Sequence, residues 1–118
     1  MSKIQEMALD LGKMLGRTDE YQALKRAAQS ADEDRELTSL RNELEGLESE
    51  LMASLRAGTE PEDEMKDRYE ELARTLQSRA AYQSLVAAQS NFDKLLQKVN
   101  ETISRGIQEG SESRIIMP

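Results

Sequence analysis

Leu37-Thr38-Ser39-Leu40-Arg41-Asn42-Glu43-Leu44-Glu45-Gly46-Leu47-Glu48-Ser49-Glu50-Leu51 decides the fold class of this chain. Its leucines recur at spacings of three, four, three and four, which puts all five on one stripe of an α-helix. A second stripe lies nearer the C-terminus, where Leu85, Phe92 and Val99 stand seven apart with Leu96 and Ile103 interleaved. Neither stripe can be buried by a lone helix. Together they predict an all-α helical bundle whose helices pack lengthwise.

Working outward, local signals divide the chain into about five helices. Ser2 with Gln5 reads as a capping box for a helix over 3–15 that Gly16 stops. Thr18 caps a second helix over 19–29, with Asp19 and Glu20 placed to complement its dipole. Ser30-Ala31-Asp32 reads as a break, with Asp32 capping the leucine-rich helix over 33–56. Ala57-Gly58-Thr59-Glu60-Pro61 is the clearest turn: Gly58 suits a left-handed C′ position, and Thr59 with Glu62 forms a second capping box. The following helix, over 60–77, turns Met65, Tyr69, Leu72 and Leu76 inward and returns as the second arm of an antiparallel hairpin. Either Ser78 caps a fifth helix over 79–106 or the chain runs on through a kink. Residues 110–118 read as a flexible tail after a single domain over 1–109. Tyr21-Gln22-Ala23-Leu24 and Tyr82-Gln83-Ser84-Leu85 share a pattern that reads as coincidence between two helix starts.

Composition narrows the chemistry. The 118 residues include no histidine, cysteine or tryptophan, and 3% are aromatic. Disulfides, thiolate catalysis and imidazole or thiolate metal sites are therefore excluded, which fits a reducing cytoplasm. There is no nucleophile elbow and no phosphate-binding loop. The acids avoid the leucine seams, and Glu64–Arg68, Glu70–Arg74 and Glu101–Arg105 are helix-stabilising pairs four apart. The expectation is a non-enzyme with no cofactor and no metal. No apolar run approaches a signal peptide core or the ~20 residues of a membrane span, so a cytoplasmic protein without membrane insertion is expected. Residues 32–71 carry 15 acids and 5 bases within a chain of net charge −7. Such a field repels phosphate backbones and argues against direct nucleic-acid binding.

Thr18-Asp19-Glu20-Tyr21-Gln22 with Lys25 and Ala27, then Asp32, Glu36 and Leu37, then Tyr82 and Ala88, run in order along the chain. Phe92, Leu95, Leu96, Val99, Ile103 and Ile107 close the series. Over roughly residues 4–108 the chain resembles the YlbF/YmcA family, the small helical control-of-competence regulators. The resemblance implies a long antiparallel helical hairpin, self-association and an adaptor role. In better-studied relatives that role lies in a complex with a paralogue and a third protein, assisting an endoribonuclease of mRNA maturation and decay, with consequences for competence and biofilm development. Some relatives hold iron–sulfur clusters on cysteines, and the absence of cysteine here points to a cluster-free branch.

These readings name two sets of residues. Leu37, Leu40, Leu44, Leu47, Leu51, Leu85, Phe92, Leu96, Val99 and Ile103 form the expected core and self-association set, with a homodimer the simplest assembly. Glu62, Asp63 and Glu64 are the candidate docking site for a basic protein partner, such as a family paralogue or an RNA-processing complex. The rival reading is a chaperone-like hairpin that clasps client proteins between its ends.

Overall fold

The computed structural model describes residues 1–116 as five helices, with no strand among them. They are α1 (Lys3–Gly16), α2 (Asp19–Glu33), α3 (Arg35–Arg56), α4 (Asp63–Ser78) and α5 (Ala80–Ile116). The all-α class is as the leucine spacing predicts, and α3 packs on α4 as the long hairpin expected from the short turn between them. The chain comprises two compact units. A terminal unit combines residues 1–24 with 88–118, and a hairpin unit spans 25–87.

The core of the hairpin unit is small and made by Ala31 of α2, Leu37 of α3 and Leu76 of α4. Leu40, Leu44, Ala81, Tyr82 and Leu85 pack around it, partly buried. Leu37 is wholly enclosed at 0% exposure, while Leu47 and Leu51 are half-buried further along α3. Met65, Tyr69 and Leu72 of α4 are likewise half-buried. Farther from the core, two side-chain pairs tie the arms together. Tyr69 donates its hydroxyl hydrogen to Glu48 at 3.2 Å, and Arg68 meets Glu43 at 3.4 Å. The carboxylate of Glu48 holds the phenol proton and raises the Tyr69 pKa above its ordinary value.

The hairpin turn is closed by a Schellman arrangement. Ala57 is the C-cap, Gly58 takes φ +73°, its N–H reaches the Leu55 carbonyl at 3.2 Å, and the Thr59 N–H reaches Ser54 at 3.0 Å. An added Cβ at Gly58 meets nothing within 4 Å, so a side chain there is opposed only by backbone conformation. Gly58→Ala is accordingly expected to cost about 1 kcal/mol, read as a shift in urea midpoint without a change in slope.

Several boundaries differ from the sequence reading. Thr59 does not cap α4, because its hydroxyl and its N–H are both spent on the Ser54 carbonyl that ends α3. Pro61 disfavours the helical conformation of Glu60 before it, and Glu62 is itself extended (φ −64°, ψ 146°), so α4 starts at Asp63 with Glu62 as an N-cap that makes no side-chain bond. Ser30-Ala31-Asp32 is not a break. Ala31 is a strong helix former and fills the core, so α2 continues to Glu33 and Asp34, not Asp32, caps α3 by accepting from the Leu37 N–H at 3.0 Å. Ser78 does not cap α5, since its hydroxyl donates back to the Thr75 carbonyl. Nor does α5 end near Gly106 or give way to a tail at Gly110. It runs to Ile116, because isolated glycines only weaken a helix and the first residue able to end it outright is Pro118. Met117 and Pro118 lie outside the described residues.

The expected capping box of α1 is present, with Ser2 and Gln5 each bonding the other's backbone N–H. Thr18 likewise accepts from the Tyr21 N–H at 3.2 Å and caps α2. The two Tyr-Gln-x-Leu segments share a local role that spacing alone did not reveal. Gln22 donates to the Gly16 carbonyl at 2.8 Å and Gln83 donates to the Gln77 carbonyl at 2.9 Å. In each case the fourth residue of a helix reaches back six positions to a carbonyl left open at the end of the preceding helix. The repeat is a device for stapling two consecutive helices across a break.

Candidate functional site

Three features of the surface are organised well enough to act on something else. The first is a charged clasp in the hairpin unit. Arg79 has extended backbone (φ −73°, ψ 129°) between α4 and α5, although neither glycine nor proline occurs between residues 62 and 105. Its guanidinium donates to both carboxylate oxygens of Asp34, at 3.0 and 2.9 Å, and also pairs with Glu36. The same Asp34 carboxylate caps α3, so one side chain fixes the start of α3 and the α4–α5 break together. Hydrogen bonding to Arg79 and to the Leu37 N–H holds the Asp34 pKa below the usual carboxylate range, and Asp34 in turn raises that of Arg79. Arg79 Nε is buried without a hydrogen-bond partner. The clasp is structural in its reach and was not legible beforehand, because its partners lie 45 positions apart.

The second feature is the acid-rich tip of the hairpin. Glu60, Glu62, Asp63 and Glu64 are all exposed. None of them is in an ion pair among the described residues, where the pairs are Arg68–Glu43, Arg79–Asp34 and Arg79–Glu36. Asp63 and Glu64 occupy the first turn of α4, where negative charge also favours the helix. Glu62, Asp63 and Glu64 thus form one contiguous acidic surface at a helix start.

The third feature is a groove in the terminal unit between the start of α2 and α5. It measures about 530 Å³ and is lined by Asp19, Glu20 and Ala23 on one side and Ala88, Asn91, Lys94, Leu95 and Lys98 on the other. Tyr21 meets Phe92 edge-on, with ring centroids 5.3 Å apart. Two of the sequence segments that carry the family resemblance, at the start of α2 and on α5, therefore come together in one place. Acids on one wall and lysines on the other leave the groove without a dominant sign, and no nucleophile and base are paired in it.

The two leucine-containing stripes are used differently. Leu37, Leu40, Leu44 and Leu85 are committed within the hairpin unit. Phe92, Leu96 and Val99 are half-buried in the terminal unit, but Ile103 is exposed. Ile103 therefore contributes little to a core within one chain. No cluster of three or more potential metal-ligating side chains exists among the described residues, and none of their helices is long and apolar enough to cross a membrane.

A hairpin of long helices and no strand among the described residues place the chain among small all-α proteins. Residues 4–108 match the family described as control of competence regulator ComK, YlbF/YmcA, and the chain belongs to that family. It is similar to a UPF0342 protein of Lactobacillus acidophilus, 28% identical over 92% of this chain and 94% of the relative. A UPF0342 protein of Levilactobacillus brevis is also 28% identical, over 91% and 94%. One from Lactobacillus delbrueckii subsp. bulgaricus is 27% identical over 95% and 96%. The family is one of regulators, not a known enzyme family.

Proposed function

We propose that this chain is a non-enzymatic adaptor that binds a basic protein surface through the acidic tip of its hairpin. The observation that carries the reading is the segregation of charge. The hairpin unit holds fifteen acids and nine bases, whereas the terminal unit holds eight and seven. Within the hairpin, the carboxylates of Glu62, Asp63 and Glu64 are exposed and free of ion pairs among the described residues. Such a surface steers a basic partner toward it and repels nucleic acid. Family membership supports a regulatory setting, and the resemblance to competence regulators suggests mRNA processing or decay, with competence or biofilm development downstream. A second copy of this chain and a family paralogue in the cytoplasm are the further partners this reading implies.

Glu62→Gln, Asp63→Asn and Glu64→Gln combined remove the field while keeping side-chain size. Circular dichroism should stay helical, and the partner co-purified from the native cell should be lost. In the unaltered protein the same contact should weaken severalfold between low and physiological salt. Unchanged partners and unchanged mRNA ends in the variant would show that these acids only solubilise the hairpin and support its helix start. Capture of many unfolded clients in place of one or two defined partners would favour the clasp reading instead.

A further inference from the structure

The hairpin unit covers most of its large apolar side chains. Among the described residues it leaves three exposed, and two of these, Met52 and Leu55, stand together near the end of α3. Met52 is 53% exposed and Leu55 65%. Neither belongs to the leucine seam, whose Leu47 and Leu51 are half-buried. Met52 lines a shallow groove of about 490 Å³ with Glu45, Glu48, Ser49 and Arg56. These five positions follow at spacings of three, one, three and four, which makes them one face of α3 beside the seam. All belong to α3, and no residue of another helix lines the groove. Helix periodicity sets Leu55 between this face and the seam. Glu48 accepts the Tyr69 hydroxyl hydrogen, which holds its carboxylate at the groove edge.

We propose that this face of α3 seats a basic amphipathic helix of a partner protein. The apolar side of that helix rests on Met52 and Leu55, and its cations lie over Glu45, Glu48 and the acids of the hairpin tip. The proposal rests on the reading of the tip as a docking surface for a basic protein, and it supplies what the tip alone lacks. Exposed carboxylates steer a cation inward but hold it weakly, because salt screens them beyond about 10 Å. Lasting affinity comes from apolar anchors withdrawn from water. Met52 and Leu55 are placed to be those anchors. The Leu55 carbonyl accepts from Gly58 in the turn, and the exposed acids of the tip begin at Glu60, five residues beyond Leu55. Methionine, unbranched and polarisable, adapts to the ridges of an incoming helix. Charge sets the occupant. The groove has two acids to one base, and the hairpin unit as a whole is six charges negative. That field repels a second copy of the unit, a nucleic acid and an anionic lipid surface alike, and it attracts a helix that carries cations beside an apolar stripe.

Fluorescence anisotropy on the full chain, with two synthetic peptides, tests this. One peptide is a leucine–lysine helix with all its leucines on one face, and the other has the same composition scrambled. Both should bind, since both carry the charge that the tip attracts, and the amphipathic one should bind about tenfold tighter. Met52→Ser with Leu55→Ser changes only exposed side chains, so the fold should tolerate it. This variant should bring the amphipathic peptide down to the affinity of the scrambled one and leave the salt dependence unchanged. Met7→Ser with Ile107→Ser, as exposed but in the terminal unit, should alter neither peptide. Glu62→Gln, Asp63→Asn and Glu64→Gln combined should weaken both alike. Equal affinities for the two peptides in the unaltered protein would overturn the proposal and leave tip docking standing. A scrambled peptide indifferent to the three tip substitutions would instead overturn tip docking. A preference for the amphipathic peptide that survives Met52→Ser with Leu55→Ser would overturn the choice of face. Light scattering in which that variant halves the mass of the unaltered protein would assign the groove to a second copy and overturn the choice of partner.

Discussion

Leu37→Asp is expected to unfold the hairpin unit at room temperature, whereas Glu45→Ala, five residues beyond Leu40, should be nearly silent. Among the described residues Leu37 is the one large side chain with no exposure, and it packs with Ala31 and Leu76 from two other helices. Truncation to alanine alone should cost about 2–5 kcal/mol through lost transfer energy and the cavity left behind. An aspartate adds the cost of a buried, unpaired charge, a further several kcal/mol. A unit of this size buries too little surface to absorb such a loss, given that whole domains are stable by only about 5–15 kcal/mol. Glu45 is exposed, and substitutions of that kind stay within about 0.5 kcal/mol. Leu44→Asp should fall between the two, because Leu44 is only partly buried against the same core. Urea titrations followed by circular dichroism give the order directly. Equal midpoints for Leu37→Asp and Glu45→Ala would mean the core has been placed wrongly.

Arg79→Ala should lower the thermal midpoint several times more than Arg68→Ala. Both arginines pair with carboxylates, but Arg68 and Glu43 are well exposed, and solvent screens such pairs to near insignificance. Arg79 and Asp34 are partly buried and bidentate, and loss of the guanidinium leaves Asp34 with a cap to make and no counter-charge. Asp34→Asn separates the two duties. Asparagine still caps α3 but cannot form the ion pair, so Asp34→Asn should be milder than Asp34→Ala. The acid response follows from the sign of the shift. Because the folded Asp34 pKa is depressed, its contribution is present above the unfolded value near 3.8 and is lost as pH falls through the folded value. The unaltered protein should therefore lose this part of its stability only below about pH 4, and Arg79→Ala should show a flatter profile there. Identical acid profiles for the two would exclude the clasp as a source of stability.

Much of this was legible in short-range chemistry. Ser2 with Gln5, Thr18 before Asp19, and Gly58 after Arg56 each act on backbone groups a few residues away, so local sequence announces them. The candidate docking acids were legible too, because charge density along 32–71 needs no fold to be counted. Less could be read of the leucine stripes. Periodicity says that a face must be covered, and the helix it lies on, but it does not say by what. Leu37 through Leu51 proved to belong to a hairpin within one chain, while Ile103, on an equally regular stripe, stands exposed.

The sequence by itself determined an all-α chain, the left-handed turn at Gly58 and an acidic hairpin, because helix periodicity, positive φ and charge are properties of residues and their near neighbours. Only the tertiary structure decided that Asp34 and not Asp32 begins α3, and that the chain breaks at Arg79, a good helix former with no glycine or proline beside it. The reason is one of range. Asp34 and Arg79 each find their partner about 45 positions away, and an ion pair made with both carboxylate oxygens outweighs the local preference for helix at the single residue that must give it up.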